Sequence, residues 1–180
     1  MNNTRRLVMS ALCVALGLVL PLAFHAVPNA GQVFLPMHIP VLLCGLICGP
    51  VYGLVCGALT PFLSSVLTGM PPSSMLPGMM CELATYGLVG GLLAAGLSRL
   101  PRAAGVYAAL IGAMLAGRLV SGAVNALIFR AGEYTLQAWI AASFVTALPG
   151  IVIQLVAIPL LVAALERAHV ITVSAAHKSA

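Results

Sequence analysis

Long apolar runs, separated by short stretches that hold most of the polar residues, make up most of this chain. A hydrocarbon core about 30 Å thick is crossed by a helix of about 20 apolar residues, so runs of this length indicate membrane spans. The pattern therefore predicts an all-α integral membrane protein with six transmembrane helices in a compact bundle. The predicted helices comprise residues 6–24, 38–49, 51–68, 78–98, 104–129 and 138–165.

The boundary between the second and third predicted helices is marked only by Gly49-Pro50. Proline cannot donate a helical hydrogen bond, and a glycine before it favours a tight break. We therefore expect two helices here. A single long, broken helix would give five crossings instead of six.

The composition supports a membrane protein. Of 180 residues, 62 % are hydrophobic and 6 % are charged, whereas a soluble domain carries about 25 % charged residues. The net charge of +5 does not indicate a nucleic-acid partner, because the cations are scattered and form no basic face. The expected surroundings are the lipid bilayer.

The positions of the cations support six crossings and set their direction. With six crossings, all but two of the eight Lys and Arg residues lie on the side of the amino terminus: Arg5, Arg6, Arg99, Arg102, Arg167 and Lys178. Arg118 lies within a span, and Arg130 falls on the other side, facing Glu133. Since positive charge marks the cytoplasmic side, both termini are predicted to be cytoplasmic.

The chain is predicted to form a single six-helix transmembrane domain at 1–168. A short cytoplasmic tail at 169–180 follows it and is predicted to be disordered. The predicted outer loops are 25–37, 69–77 and 131–137. The first span resembles a signal peptide, but its apolar run of Leu7 to Phe24 exceeds the 7–15 residues usual for such a core. We therefore expect it to remain as a span.

Small residues recur at four-residue spacing in two places. The stretch CGLICGPVYGLVCG carries Gly45 and Gly49 on the second span and Gly53 and Gly57 on the third. In lipid, small residues allow helices to approach closely, so these glycines are predicted to pack inside the bundle. The alternatives are a partner surface or bending around Pro50. The first span repeats the spacing with Ala11 and Ala15, on a face that is internal or free.

The five cysteines, at positions 13, 44, 48, 56 and 81, all lie in apolar runs. Free cysteine behaves as a small hydrophobe, and this is the favoured interpretation. A Cys44/Cys48 pair on one helical face is the alternative, as a ligand pair for a soft metal. We predict no metal and no cofactor.

Polar side chains inside the spans are the candidates for a site, because a charge near the bilayer centre is costly unless it is paired or faces water. Arg118 lies about 21 Å into the fifth span at a rise of about 1.5 Å per residue, and Ser121 and Asn125 share its face. Glu82 and Tyr86 share a face of the fourth span. Gln154 lies in the sixth span, which Trp139 opens, and His38 opens the second.

Two interpretations of Arg118 and Glu82 remain open. They neutralise each other as a buried ion pair that holds two spans in register, or they line a cavity open to the outside and bind a polar solute. The sequence offers neither a hydrolytic constellation nor a phosphate-binding G-x-x-x-x-G-K-[ST] loop. The chain is therefore not expected to be an enzyme.

Two long stretches carry a family resemblance, MHIPVLLCGLICGPVYGLVCGALTPFLSSVLTGMPP from Met37 to Pro72 and MMCELATYGLVGGLL from Met79 to Leu93. Together with Ala11-x-x-x-Ala15, they resemble the substrate-binding S components of energy-coupling factor (ECF) transporters, over about residues 5 to 167. The resemblance implies a subunit of a bacterial plasma membrane importer that captures a vitamin or related micronutrient at its outer face. It then docks on a membrane T component coupled to two ATPases.

The resemblance also implies roles for residues. Ala11 and Ala15 would form the surface that docks on the T component. The outer loops would close over the ligand. The ligand would contact polar residues of the last three helices, namely Glu82, Tyr86, Arg118, Asn125 and Gln154, with Ser121, His38 and Trp139 as further candidates.

The ligand depends on the state of Arg118. If Arg118 is free, a carboxylate such as pantothenate suits it and is the first expectation, with Ser121, Asn125 and Gln154 binding hydroxyl and amide groups. If Glu82 neutralises Arg118, a neutral or zwitterionic compound such as a vitamin B6 form or a thiamine precursor fits as well. Outside this family, the alternatives are a stand-alone secondary transporter of a small polar solute and a membrane subunit without a ligand.

Overall fold

Helices form almost all of the structure. The computed structural model describes residues 2–23, 30–129 and 135–171, and within these ranges it contains helices and no strand. The helices are α1 (Asn3–Ala23), α2 (Ala30–Phe34), α3 (His38–Cys48), α4 (Pro50–Thr68), α5 (Leu76–Gly96), α6 (Arg102–Val124), α7 (Leu136–Ile140) and α8 (Leu148–Arg167). Wider π-helical turns extend α6 over Asn125–Phe129 and α7 over Ala141–Thr146.

Six segments of the described chain are long and apolar enough to cross a membrane, which confirms the predicted fold class. These segments are Asn3–Ala23, Gly31–Cys48, Pro50–Thr68, Leu76–Gly96, Arg102–Ile128 and Leu148–Arg167. The protein is therefore a multi-pass membrane protein.

The predicted break at Gly49-Pro50 separates α3 from α4. Gly49 has a φ of 98°, a left-handed conformation that favours glycine because it has no Cβ. Its N–H donates to the Gly45 carbonyl at 3.1 Å and closes α3. Pro50 then occupies the first turn of α4, where a missing N–H costs nothing.

The predicted start of the sixth span, at residue 138, was wrong. α8 begins at Leu148, and residues 136–146 form a separate apolar segment that is too short to cross a bilayer. Pro149 lies in the first turn of α8, a position where proline starts a helix and cannot continue the one before it. Trp139 thus belongs to α7 and does not open the sixth span.

The first outer stretch, predicted as a loop over 25–37, contains the short helix α2. Leu35 links α2 to α3 with a φ of 51° and is buried. α2 rests on the start of α8, where the absence of a side chain at Gly150 leaves room for the Val33 carbonyl and the Leu35 side chain. Residues 24–29 of this stretch lie outside the described residues.

The core is built around α3 and α5. Almost all of α3 is buried, and α5 packs against α3, α4 and α6. α1 lies on the flank against α3 and α4, and its buried residues are Cys13 and Gly17. The central helices therefore hold the bundle together, while α1 presents most of its surface outward.

The start of α1, the start of α6 and the end of α8 lie at one end of the bundle. Arg5 donates to the Val170 carbonyl, and Arg102 forms an ion pair with Glu166. The first and sixth spans therefore have their terminal ends on the same side. Residues 169–171 of the predicted tail are described, and Ile171 is buried at this end. Residues 172–180, with Lys178, and the predicted pair Arg130 and Glu133 lie outside the described residues.

Candidate functional site

A carboxylate on α5 is the centre of a buried polar group. Glu82 Oε1 lies 3.0 Å from Arg118 Nη1 on α6 and 3.7 Å from His38 Nε2 on α3, and it accepts a hydrogen bond of 3.0 Å from the Tyr86 hydroxyl. Each of these four residues is less than one tenth exposed. We call His38, Glu82, Tyr86 and Arg118 the Glu82 cluster.

Local helix geometry produces this cluster. Glu82 and Tyr86 are one turn apart on α5, so their side chains lie on one face. His38 stands in the first turn of α3 and packs edge-on against the Tyr86 ring, with centroids 5.4 Å apart. Gly117, next to Arg118, leaves the space that the Tyr86 ring occupies. Small residues thus bring α6 close enough for Arg118 to reach Glu82.

Glu82 and Arg118 balance each other's charge inside the bundle. An isolated charge at this depth costs several kcal/mol, and a close partner offsets much of that cost. Three nitrogen atoms of the cluster nevertheless have no partner among the residues that the structure describes: Arg118 Nε, Arg118 Nη2 and His38 Nδ1. Buried donors without partners are uncommon, and they occur where a ligand or water completes the site.

A cavity of about 190 Å³ lies over the cluster. Its polar lining comes from His38, Glu82, the end of α6 and Gln32 of α2. Its remaining lining comes from Leu35, the start of α5 and the π-helical extension of α7. The lining residues are Gln32, Leu35, His38, Met75, Met79, Glu82, Arg118, Ser121, Asn125 and Ala142. Gln32 and Met75 approach each other beside the opening, with Nε2 and Sδ 3.8 Å apart.

Ser121 and Asn125 extend the polar lining along α6 as the sequence pattern predicted. Asn125 Nδ2 donates to the Ser121 carbonyl at 2.8 Å, which fixes the amide. The Asn125 amide packs against Gly78 of α5, where a Cβ would meet Nδ2 at 2.5 Å. Hydroxyl and amide groups therefore stand beside the charged pair on one wall.

Three predicted ligand residues do not line this cavity. Trp139 donates from Nε1 to the Arg118 carbonyl at 3.1 Å and packs against Phe144, and its ring lines a separate, mainly apolar cleft of about 280 Å³. Gln154 is fully buried in α8, and its amide has no partner among the described residues. Tyr86 lies behind Glu82 and supports it without lining the cavity.

Some lining residues were missed by sequence reasoning. Met79 stands three residues before Glu82, so helical spacing would have placed it on the same face. Met75 fell in the predicted loop 69–77. Gln32 and Leu35 carried no such signal, because α2 was predicted to be loop. Ala142 has no feature that distinguishes it from the many other alanines.

The two patterns of small residues have different surroundings. Three of the four glycines lie against the backbone of α5, at Gly87 and Leu83: Gly45, Gly53 and Gly57. A Cβ at Gly49 would have no atom within 4 Å, and Gly49 instead forms the break between α3 and α4. The Ala11 and Ala15 side chains are exposed.

The predicted cysteine pair lies in the core. Cys44 and Cys48 are buried free thiols of α3, together with Cys13 and Cys56 on the adjoining helices. Within the described ranges, no three His, Cys, Asp or Glu side chains are arranged to hold a metal ion.

Comparison with protein families gives one match. The family described as "ECF transporter, substrate-specific component" matches residues 5–162, which is most of the chain. No curated protein and no solved structure matches this chain. The residues matched include nearly all of α1, all of α2 to α7, most of α8 and the whole cavity lining. The chain therefore belongs to the substrate-specific components of ECF transporters.

Proposed function

We propose that this protein is the substrate-binding subunit of an ECF-type importer in a bacterial plasma membrane. It captures a small water-soluble vitamin or related micronutrient at the outer face and delivers it by docking on a T component driven by two ATPases. The observation that supports this most is the Glu82 cluster. Charged and polar side chains from three spans converge on one small cavity in a protein that otherwise carries very few charges.

The positions of the cations indicate which side of the membrane the cavity faces. The cavity is lined by the first turns of α3 and α5, by the last turns of α6 and by the segment before α8. These ends are opposite to the end that holds Arg5, Arg102 and Glu166. Because positive charge favours the cytoplasmic side, both termini are cytoplasmic and the cavity opens outward.

Docking on the T component is assigned to Ala11 and Ala15. Both are exposed on α1, while Cys13 and Gly17 attach the opposite face of the helix to the bundle. Small exposed side chains allow another helix to approach the backbone closely. This face is therefore free to receive a partner without disturbing the cavity.

The ligand is expected to meet the Glu82 cluster, with Ser121 and Asn125 binding its hydroxyl or amide groups. Of the two alternatives that the sequence left open, the contact of 3.0 Å between Glu82 and Arg118 supports a neutral or zwitterionic ligand over a pantothenate-like anion. Gln154, buried without a described partner, and Trp139, bonded to the Arg118 backbone, are assigned to shaping the site from behind.

The test of this proposal is affinity purification of the tagged, full-length chain from cells that express the whole importer. We expect a T component and two ATPases to co-purify, and native mass spectrometry to detect a bound small molecule. Liposomes that contain the chain alone should bind this molecule and transport none. Transport by the chain alone would overturn the proposal in favour of a stand-alone transporter.

Arg118→Ala tests the site itself. Loss of the guanidinium leaves Glu82 without its cation, so we expect bound ligand to fall at least tenfold, together with a loss of stability of about 3–5 kcal/mol. Arg102→Ala is the control, because it removes a cation from the opposite end of the bundle, where Arg102 is half exposed. Undiminished binding by folded Arg118→Ala protein would mean that Arg118 only supports the helices.

A further inference from the structure

The cavity carries one negative and one positive group, and these two are already in contact. Arg118 Nη1 lies 3.0 Å from Glu82 Oε1, and both side chains are about nine-tenths buried. The other described lining residues carry no formal charge when histidine is neutral. These residues are Gln32, Leu35, His38, Met75, Met79, Ser121, Asn125 and Ala142.

A charge-balanced cavity in a membrane discriminates against charged ligands. An anion that approached Arg118 would also approach Glu82, because every contact given for Glu82 runs through Oε1 beside Arg118 Nη1. It would add a net negative charge to a site that water and salt screen weakly. A cation that approached Glu82 would in the same way approach Arg118 and add a net positive charge. A neutral or zwitterionic molecule leaves the balance unchanged.

We infer that this cavity selects a ligand without net charge, one that offers a hydrogen-bond donor to Glu82 and an acceptor to Arg118. This inference rests on the proposed function and narrows it to a class of ligand. The cavity volume of about 190 Å³ is smaller than the 300–1,000 Å³ typical of sites for drug-sized molecules. The ligand is therefore a small compound, and Ser121 and Asn125 suit its hydroxyl or amide groups.

The charge preference is testable with molecules that share a skeleton and differ in charge. Pantothenol and pantothenate form one such pair, an alcohol and its carboxylate, and pyridoxine and 4-pyridoxate form another. Binding of each to the purified full-length protein is measured at pH 8, where histidine side chains are ordinarily neutral. The molecule that co-purifies with the protein is identified by mass spectrometry in parallel.

We expect the uncharged member to bind at least about tenfold more tightly in any pair whose skeleton the cavity accepts. We also expect the co-purified molecule to have no net charge at pH 8. Tighter binding of the carboxylate, or a co-purified anion, would overturn the inference and leave the proposed function intact. If no probe binds, nothing co-purifies and no T component associates, the proposed function itself has failed.

Variants of Glu82 and Arg118 provide a second test of the charge preference. Glu82→Gln leaves Arg118 uncompensated, so the preference should move toward the carboxylate by a factor of at least about ten. The double variant Glu82→Gln/Arg118→Gln is the control: it is again balanced, so it should bind more weakly while keeping the wild-type preference. An unchanged preference in folded Glu82→Gln protein contradicts the inference. If that variant does not fold, binding of the alcohol and carboxylate pairs to the wild-type protein still tests the inference.

Discussion

Two regions of this protein carry small residues at the same four-residue spacing and have opposite surroundings. The first is the glycine crossing, formed by Gly45, Gly53 and Gly57 of α3 and α4 against the backbone of Gly87 and Leu83 of α5. The second is the alanine face of α1, formed by Ala11 and Ala15. In the crossing, backbone meets backbone and no side chain separates the helices. On the alanine face, the small side chains are exposed.

The difference shows that small-residue spacing in a membrane helix marks a surface for close approach but does not say what approaches it. The second span, Gly31–Cys48, has 61 % of its residues buried, whereas the α1 span has 11 %. The crossing is already occupied by the protein's own helices. The alanine face is exposed on the flank of the bundle, and the proposed function assigns it to a T component.

Gly87→Leu should have the largest effect on stability. A Cβ at this position meets the carbonyl of Gly53 and lies 2.8 Å from its Cα, so a leucine has no space unless α4 and α5 separate. Changes above about 4–5 kcal/mol are exceptional, and this one should exceed them. We expect no monodisperse protein by size-exclusion chromatography in detergent. Recovery of stable protein would show that the crossing is looser than described.

Gly57→Ala should have a smaller effect. One methyl group would meet the Leu83 carbonyl and lie 2.6 Å from Ala84 N, and overpacking of this kind costs about 1–3 kcal/mol. Each kcal/mol corresponds to about 2–4 °C in the unfolding temperature of a protein of this size. The measurement is the thermal unfolding midpoint in detergent.

Gly90→Ala is the matched control on the facing helix. Its added Cβ would lie 3.6 Å from Ala113 Cβ, an ordinary contact, and alanine favours the helix by about 1 kcal/mol over glycine. Its unfolding midpoint should equal or exceed that of the wild type. Equal decreases in the unfolding midpoint of Gly57→Ala and Gly90→Ala would show that glycines in the crossing are packed no more tightly than Gly90 of α5.

The sequence predicted the spans well because the physical rule behind them is simple: a stretch of about 20 apolar residues has few alternatives to a membrane helix. It failed at the start of α8 because the residues on both sides of Ala147 are mostly apolar, and the Pro149-Gly150 pair was the mark of the break. α2 was missed because it is five residues long and its position depends on packing against α8.

The site was predictable in part for the same reason. Glu82 and Arg118 are costly in lipid, so their convergence was expected, and they meet at 3.0 Å. The rotation of each helix about its axis is set by packing with its neighbours and leaves no local signal. Tyr86, Trp139 and Gln154 therefore lie outside the cavity lining. The spacing of Ala11 and Ala15 could not reveal their exposure.

Ala15→Trp should have the smallest effect on stability and a decisive effect on transport. Ala15 is exposed on α1, so a tryptophan projects into lipid without displacing any part of the bundle, and the unfolding midpoint and ligand binding should stay at wild-type values. Uptake by cells that express the complete importer should be lost, because a bulky side chain holds the T component away from the helix. Leu115→Trp, at an exposed position of α6 remote from α1, is the control and should support normal uptake. If Ala15→Trp lowers ligand binding or the unfolding midpoint as Gly57→Ala does, then the alanine face is internal packing after all, and the difference between the two regions disappears.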